Sequence, residues 1–149
     1  MTKEEMWSNF CKETGLDPET PYDAWAFCGG GPIGDELAEL VLAKIKTATA
    51  SALIAYETEK EPLPELGGYS VVLYDDGSAA GVIRNTKLSL VPFLEVSEEH
   101  AYKEGEGSRT LEEWREIHRR LFTPDYEAAG KPFDENGLCV LEEFELVWR

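Results

Sequence analysis

Two apolar runs, Tyr69-Ser70-Val71-Val72-Leu73-Tyr74 and Ala79-Ala80-Gly81-Val82-Ile83-Arg84, flank the turn Asp75-Asp76-Gly77-Ser78. An Asp-Gly step between such runs is a strong short-range signal for a β-hairpin, because both residues tolerate the positive φ that hairpin turns demand. The middle of the chain is therefore expected to form antiparallel sheet. Thr86 to Val96 is read as a further β-rich run, holding Lys87, Leu88, Leu90, Val91 and Phe93, with a break or bulge at Pro92. Leu138 to Trp148 alternates imperfectly and predicts a closing strand.

Helical spacing flanks this sheet. Met6, Phe10 and Cys11, with Trp7 and Thr14, recur at three and four, so residues 3–14 are expected to form a helix closed by Gly15. Pro18 and Pro21 make a turn-rich link, and Tyr22 to Phe27 is an aromatic cluster ending in Gly29-Gly30-Gly31-Pro32. The triple glycine lacks the Gly-Lys-Ser/Thr ending of a phosphate loop and follows no strand pattern, so it reads as a flexible turn. From Asp35 the pattern is helical, with Leu37, Leu40 and Val41 on one face, acids in the first turn and Lys44-Ile45-Lys46 at the end. Thr47 to Tyr56 stays open: its alanines allow a helix and its threonines suit a strand. Ser97 caps a short acidic helix that Gly105 and Gly107 interrupt. Thr110 and Glu113 form a capping box that starts a helix to about Phe122. Leu111, Trp114, Ile117, His118 and Leu121 are expected to face inward, with Pro124 and Gly130 in the loop beyond. The class is α+β on a small, mostly antiparallel sheet or barrel.

Composition limits what such a domain can do. The 149 residues are 42% hydrophobic, which suits one domain with a single core. Lys and Arg number 14 against 30 Asp and Glu, a formal charge of −16. Proteins that grip duplex DNA or RNA gain affinity by releasing counterions with Lys and Arg, so broad duplex binding is disfavoured. A single nucleoside or a short single strand, held by stacking and base-edge hydrogen bonds, remains open as a partner. No apolar run approaches the ~20 residues of a membrane span, and no secretory leader is expected at the N-terminus. Cys11, Cys28 and Cys139 are odd in number and far apart, which fits a reducing cytoplasm better than a disulfide framework. Two histidines and no Cys-x-x-Cys give no metal cluster, and no cofactor is expected.

Taken residue by residue, the candidate chemistry is sparse. Lys46 and Thr49, three apart, would share one side of a helical turn, although a lysine at a helix end commonly answers the dipole alone. Glu104-Gly105-Glu106-Gly107 places carboxylates in a loop, and a charged surface turn explains it equally well. His118 reads as a packed helix residue, and His100 alone makes no site. Ser51 lacks a Gly-x-Ser-x-Gly turn, and Cys139 reads as a buried strand face. Tyr69, Tyr74 and Trp25 could stack a base but are read first as core.

As an ordered set these segments resemble the ASCH domain. Lys46-Thr47-Ala48-Thr49-Ala50-Ser51, Leu63-Pro64-Glu65-Leu66-Gly67 and Pro92-Phe93-Leu94-Glu95-Val96 carry the resemblance. So do His100-Ala101 through Gly107, Leu111-Glu112-Glu113-Trp114-Arg115 with His118, and Glu142 to Val147. They cover about residues 34–147, and the helix at 3–14 with the Tyr22–Phe27 aromatics is similar to longer bacterial members. The expected division is an N-terminal lead-in over 1–33 packed on a domain over 34–149. The resemblance implies a PUA-like fold (named for pseudouridine synthase and archaeosine transglycosylase), a small barrel with flanking helices around a cleft. Families with it mostly handle RNA or modified nucleosides.

The family's cleft motif is Gly-x-Lys-x-x-Thr, and Lys46 and Thr49 match its Lys and Thr. Lys44 stands where the family has Gly, and Ser108 replaces the Asp that usually ends Glu-Gly-Glu-Gly-Asp. In short bacterial members that hydrolyse N4-acetylcytidine, the Lys and Thr work with a Glu after the His-Ala pair, here Glu104. The resemblance thus implies catalytic roles for Lys46, Thr49 and Glu104, with ligand contacts from Lys44, Thr47, Ser51, Arg84 and Glu106. Lys46 would activate Thr49 or hold an oxyanion, while Glu104 passes a proton to the leaving amine. Two alternatives stay open. One is a non-catalytic RNA-binding or coregulator-like module using Lys44, Lys46, Arg84 and Lys87. The other is a ribonuclease.

Overall fold

In the computed structural model, which describes residues Met1–Arg149, Thr2 opens the first helix by accepting the Glu5 N–H, and α1 runs Lys3–Thr14. It ends at Gly15, whose φ of 77° lets the chain turn left-handed and bond back to the Cys11 carbonyl. The chain divides into two units. The first comprises Met1–Thr47, Gly67–Thr86 and Phe144–Arg149, and the second Ala48–Leu66 and Lys87–Glu143.

In the first unit α1 is joined by β1 (Tyr22–Trp25), α2 (Gly31–Leu42), β3 (Tyr69–Leu73) and the beginning of β4 (Ala79–Pro92). β1 pairs parallel with β3, and β3 pairs antiparallel with β4 through the expected hairpin, with a bulge between Val72 and Leu73. The inner face of α1 closes a core of Met6, Trp7, Phe10, Cys11, Val71 and Val82, where Trp7 stacks on Tyr22 at 4.4 Å. Leu37, Ala38 and Val41 of α2 pack with Phe27, Val72, Ile83 and Phe144 in a second cluster.

The second unit holds β2 (Ala48–Ala52), α3 (Leu53–Glu59), the end of β4, α4 (Glu98–Glu104), α5 (Leu111–Ala128) and most of β5 (Leu138–Trp148). β2 pairs antiparallel with β5, with Thr49 opposite Glu142. Phe93, Val96, Ala101, Trp114, Phe122, Cys139 and Leu141 form its core. Its larger apolar side chains, Phe93, Val96, Phe122 and Leu141, each contribute roughly 1.5–3 kcal/mol by leaving water. The strands follow the order β1-β3-β4-β5-β2, one mixed, mostly antiparallel sheet whose order ends at β1 and β2 rather than closing.

Several sequence expectations change. β1 was hidden in the aromatic cluster, because four residues are too few to show a period. α2 begins at Gly31 rather than near Asp35, since Pro32 sits in the first turn where its missing N–H costs nothing. Asp35 and Glu36 therefore lie past the first turn, and Lys44-Ile45-Lys46 lie past the helix end at Leu42. Thr47 to Tyr56 resolves into both open readings, a strand and then a helix. Lys46 and Thr49 consequently share no helical turn: Thr49 is a strand residue. The run from Thr86 is no separate strand but the continuation of β4 as far as Pro92. Pro124 lies inside α5 rather than after it. It is exposed, and just before it the Thr123 hydroxyl donates to the Arg119 carbonyl. Leu121 points to solvent rather than inward.

Candidate functional site

The second unit centres on a buried acid. Ser97 caps α4 by accepting the His100 N–H, and Glu98 and Glu99 in the first turn suit the helix dipole. Ala101 anchors the helix in the core, and α4 packs on β2 and α5. That fixes the face carrying His100 and Glu104, four residues apart and one above the other. Glu104, the last residue of α4, is 1% exposed. Gly105 follows in a left-handed cap.

α5 supplies the other side of the cradle. The Thr110 hydroxyl accepts the Glu113 N–H, as the capping box predicts, but the Glu113 carboxylate takes the Ser108 N–H instead of its cap partner. Gly107 allows this, because any Cβ there would collide with that carboxylate. Trp114 and His118, again four apart, stack with ring centroids 4.1 Å apart. The Trp114 indole N–H donates to Glu104 Oε2, and His100 Nε2 lies 2.9 Å from the same oxygen. His118 Nε2 lies 3.3 Å from Glu104 Oε1, while His118 Nδ1 lies 2.8 Å from the Trp114 carbonyl.

The bonding pattern constrains where protons sit. A carbonyl only accepts, so His118 Nδ1 carries a hydrogen. Its Nε2 is therefore the nitrogen that faces the carboxylate. The polar partners around the acid offset the cost of burying it. Nearby on β5, burial pushes the Cys139 thiol up to about 12, and the charge of Glu104 adds to the push. No group of three or more His, Cys, Asp or Glu side chains is arranged to hold a metal ion.

The other predicted residues fall as follows. Lys46, in the first unit, is 1% exposed, with its ammonium 5.2 Å from the centre of the Phe27 ring. Its backbone N–H, like that of Ile45, bonds to the Leu40 carbonyl past the end of α2. Thr49, in the second unit, is half-buried on β2, and its hydroxyl bonds to no protein group. Lys44 is exposed at φ 61°, the left-handed region that glycine favours, which explains the glycine the ASCH pattern carries there. The Thr47 carbonyl accepts the Phe144 N–H, and the Ser51 hydroxyl bonds to the Tyr56 hydroxyl at 2.8 Å. Arg84 donates Nε to the Gly67 carbonyl and lies 5.2 Å from the Tyr69 ring centre, bordering a groove with Phe10, Leu16 and Val147. Glu106 is half-buried beyond α4, its carbonyl accepting the Arg109 N–H.

Tyr69 packs against Trp7 and Phe10, the Tyr74 hydroxyl donates to Glu39, and Trp25 meets Phe27 edge-on. These aromatics are bound into the first unit. Sequence reasoning set His118 aside as packing and found His100 insufficient alone. Their signal was the repeated spacing of four, His100 to Glu104 and Trp114 to His118.

The fold is thus a mixed five-stranded α+β arrangement with a buried Glu among two histidines and a tryptophan, and the family whose model it matches is PUA-like and associated with RNA binding. The ASCH domain family model matches residues 23–148, and the chain belongs to that family. Solved relatives share the architecture. The ASCH domain from Lactobacillus crispatus JV V101 is 31% identical, with a TM-score of 0.86 over 97% of this chain and 96% of that one. A protein from Enterococcus faecalis V583 is 36% identical, with a TM-score of 0.88 over 97% of this chain and 87% of that one. No protein of curated function matches the sequence. No helix is long and apolar enough to cross a membrane.

Proposed function

We propose that the protein binds a modified nucleoside, free or in a short single strand, and hydrolyses an amide of the N4-acetylcytidine type. The observation that carries this reading is the cradle of Glu104: a buried carboxyl group whose Oε2 takes the Trp114 indole N–H and meets His100, and whose Oε1 faces His118 at 3.3 Å. A group so held can deliver a proton to a leaving amine and recover one from water, the work of a general acid–base. Thr49 and Lys46 take their roles from the resemblance to the ASCH domain. Thr49 Oγ attacks the acetyl carbonyl and passes its proton to Lys46. The C–N bond breaks as Glu104 protonates the exocyclic nitrogen, releasing cytidine, and water then frees acetate from Thr49.

The non-catalytic RNA-binding alternative draws less support. Of its four basic contacts, Lys46 is buried and Lys87 lies 3.6 Å from Glu143. The test is incubation with N4-acetylcytidine, following cytidine by chromatography. Release that is lost in Lys46→Ala and Thr49→Ala, with melting temperature retained, supports the reading. Equal release by both variants contradicts the mechanism, and no release by the native protein contradicts the activity.

A further inference from the structure

Tyr102 and Arg109 form an arrangement that the reaction above does not use. Tyr102 is on α4 two residues before Glu104, so it projects from the opposite side of the helix, and it is 57% exposed. The Arg109 guanidinium lies 3.5 Å from the centre of the Tyr102 ring, and its Nε donates to the Tyr102 carbonyl at 2.9 Å. Arg109 holds φ at 62°, a conformation that a residue with a Cβ adopts only under strain, and its N–H bonds to the Glu106 carbonyl. Glu106, Glu112 and Glu113 are all close in sequence, yet Arg109 forms an ion pair with none of them. Its two terminal amino groups bond to no protein acceptor. The loop thus holds a guanidinium over an exposed aromatic ring, with its two terminal amino groups free.

A planar cation on an aromatic ring suits a nucleotide with both its parts. The free edge matches phosphate oxygens in a fork, and the stacked surface takes the face of an unstacked base. One isolated cation on a protein of charge −16 fits a single phosphate of a single strand and not the charge-driven grip of a duplex. We propose that Tyr102 and Arg109 bind the sugar-phosphate chain and a base of a single-stranded RNA flanking the nucleotide at Glu104. This rests on the reading that Glu104 serves a modified nucleoside. A helix about 10–12 Å thick separates the two faces of α4, against a spacing of about 3.4 Å per nucleotide in a stacked strand. The flanking contact is therefore more than one nucleotide from the target.

The test compares two probes, free N4-acetylcytidine and a single-stranded RNA nonamer with N4-acetylcytidine at its centre. Affinities are measured for the native protein, Tyr102→Ala and Arg109→Gly, with melting temperatures confirming that both variants fold. The native protein is expected to bind the nonamer more tightly than the nucleoside. Each variant should lose roughly tenfold in nonamer affinity and none for the nucleoside, and Arg109→Gly should lower the salt slope by about one. Nonamer binding that both variants retain, or a nonamer bound no better than the nucleoside, overturns the proposal and leaves the reading of Glu104 intact. Binding of neither probe by the native protein overturns that reading, and the flanking contact with it.

Discussion

His118 Nε2 faces Glu104 Oε1 at 3.3 Å, and its other ring nitrogen is committed to the Trp114 carbonyl. The two side chains are therefore direct neighbours in one buried cluster. Removing His118 alone takes away the imidazole that faces Glu104 Oε1. His118→Ala is expected to cost about 3–5 kcal/mol, from the emptied space beside Trp114 and the partner lost to the buried carboxylate. Adding Glu104→Gln should return about 1–3 kcal/mol of that loss, because the neutral amide needs no counter-charge. Urea denaturation of the two single variants and the double variant measures this coupling. Strict additivity would mean that the two side chains do not interact.

Lys44 carries the opposite kind of strain, in the backbone. Its φ of 61° costs a residue with a Cβ about 1–2 kcal/mol, and the added freedom of glycine in the unfolded chain offsets about half of that. Lys44→Gly should raise stability by roughly 0.5 kcal/mol, and Lys44→Val should lower it by about 1 kcal/mol or more. Equilibrium unfolding separates the two signs, and a stabilising valine would show that the left-handed turn is not imposed there.

Lys103 donates to Glu143 at 2.9 Å and lies 3.0 Å from Glu99. The hydrogen bond from Lys103 holds the Glu143 carboxyl below its ordinary value of 4.5, and the same bond raises the Lys103 ammonium above 10.5. For Glu143 the folded value is the lower one, so its share of stability is present above 4.5 and fades as pH falls through the folded value. For Lys103 the share is present below 10.5 and fades as pH rises through the folded value. Lys103→Met should therefore lower stability by roughly 0.5 kcal/mol near neutrality. Thermal melts from pH 2 to 7 should show that difference shrinking in acid, and a difference that grows in acid contradicts the pairing.

Cys28 is exposed, whereas Cys11 and Cys139 are buried. Burial raises both hidden thiols, Cys139 to about 12, so neither offers thiolate at neutral pH. Iodoacetamide at pH 8 should modify Cys28 alone in the native protein and all three in denaturant. Rapid native modification of Cys139 would mean that β5 is not packed as described.

Elements whose signal is local were legible in the sequence. The Asp76-Gly77 turn announced its hairpin, Ser97 and Thr110 announced their caps, and Gly15 ended α1. What escaped depends on distant partners. β1 is held by its pairing with β3, which four residues cannot advertise. Thr49 lies in a strand because β5 pairs with it, so the Lys46 and Thr49 spacing was read on the wrong period. Pro124 sits inside α5 on a face that packing does not test. At the site, the resemblance picked out Glu104, but its cradle emerges only where α4 and α5 meet. His100 and His118 are 18 residues apart in sequence, and only the folded chain brings them to one carboxylate.

Turnover by Glu104→Gln tests the central claim most directly, because the substitution keeps the side chain's shape and removes its capacity to exchange a proton, with a melting temperature confirming that the variant folds. Release of cytidine from N4-acetylcytidine is expected to fall by about 10²–10⁴-fold in kcat, with substrate still bound at native affinity. A Glu104→Gln variant that turns over at the native rate would contradict it, and the buried acid would then serve the fold alone.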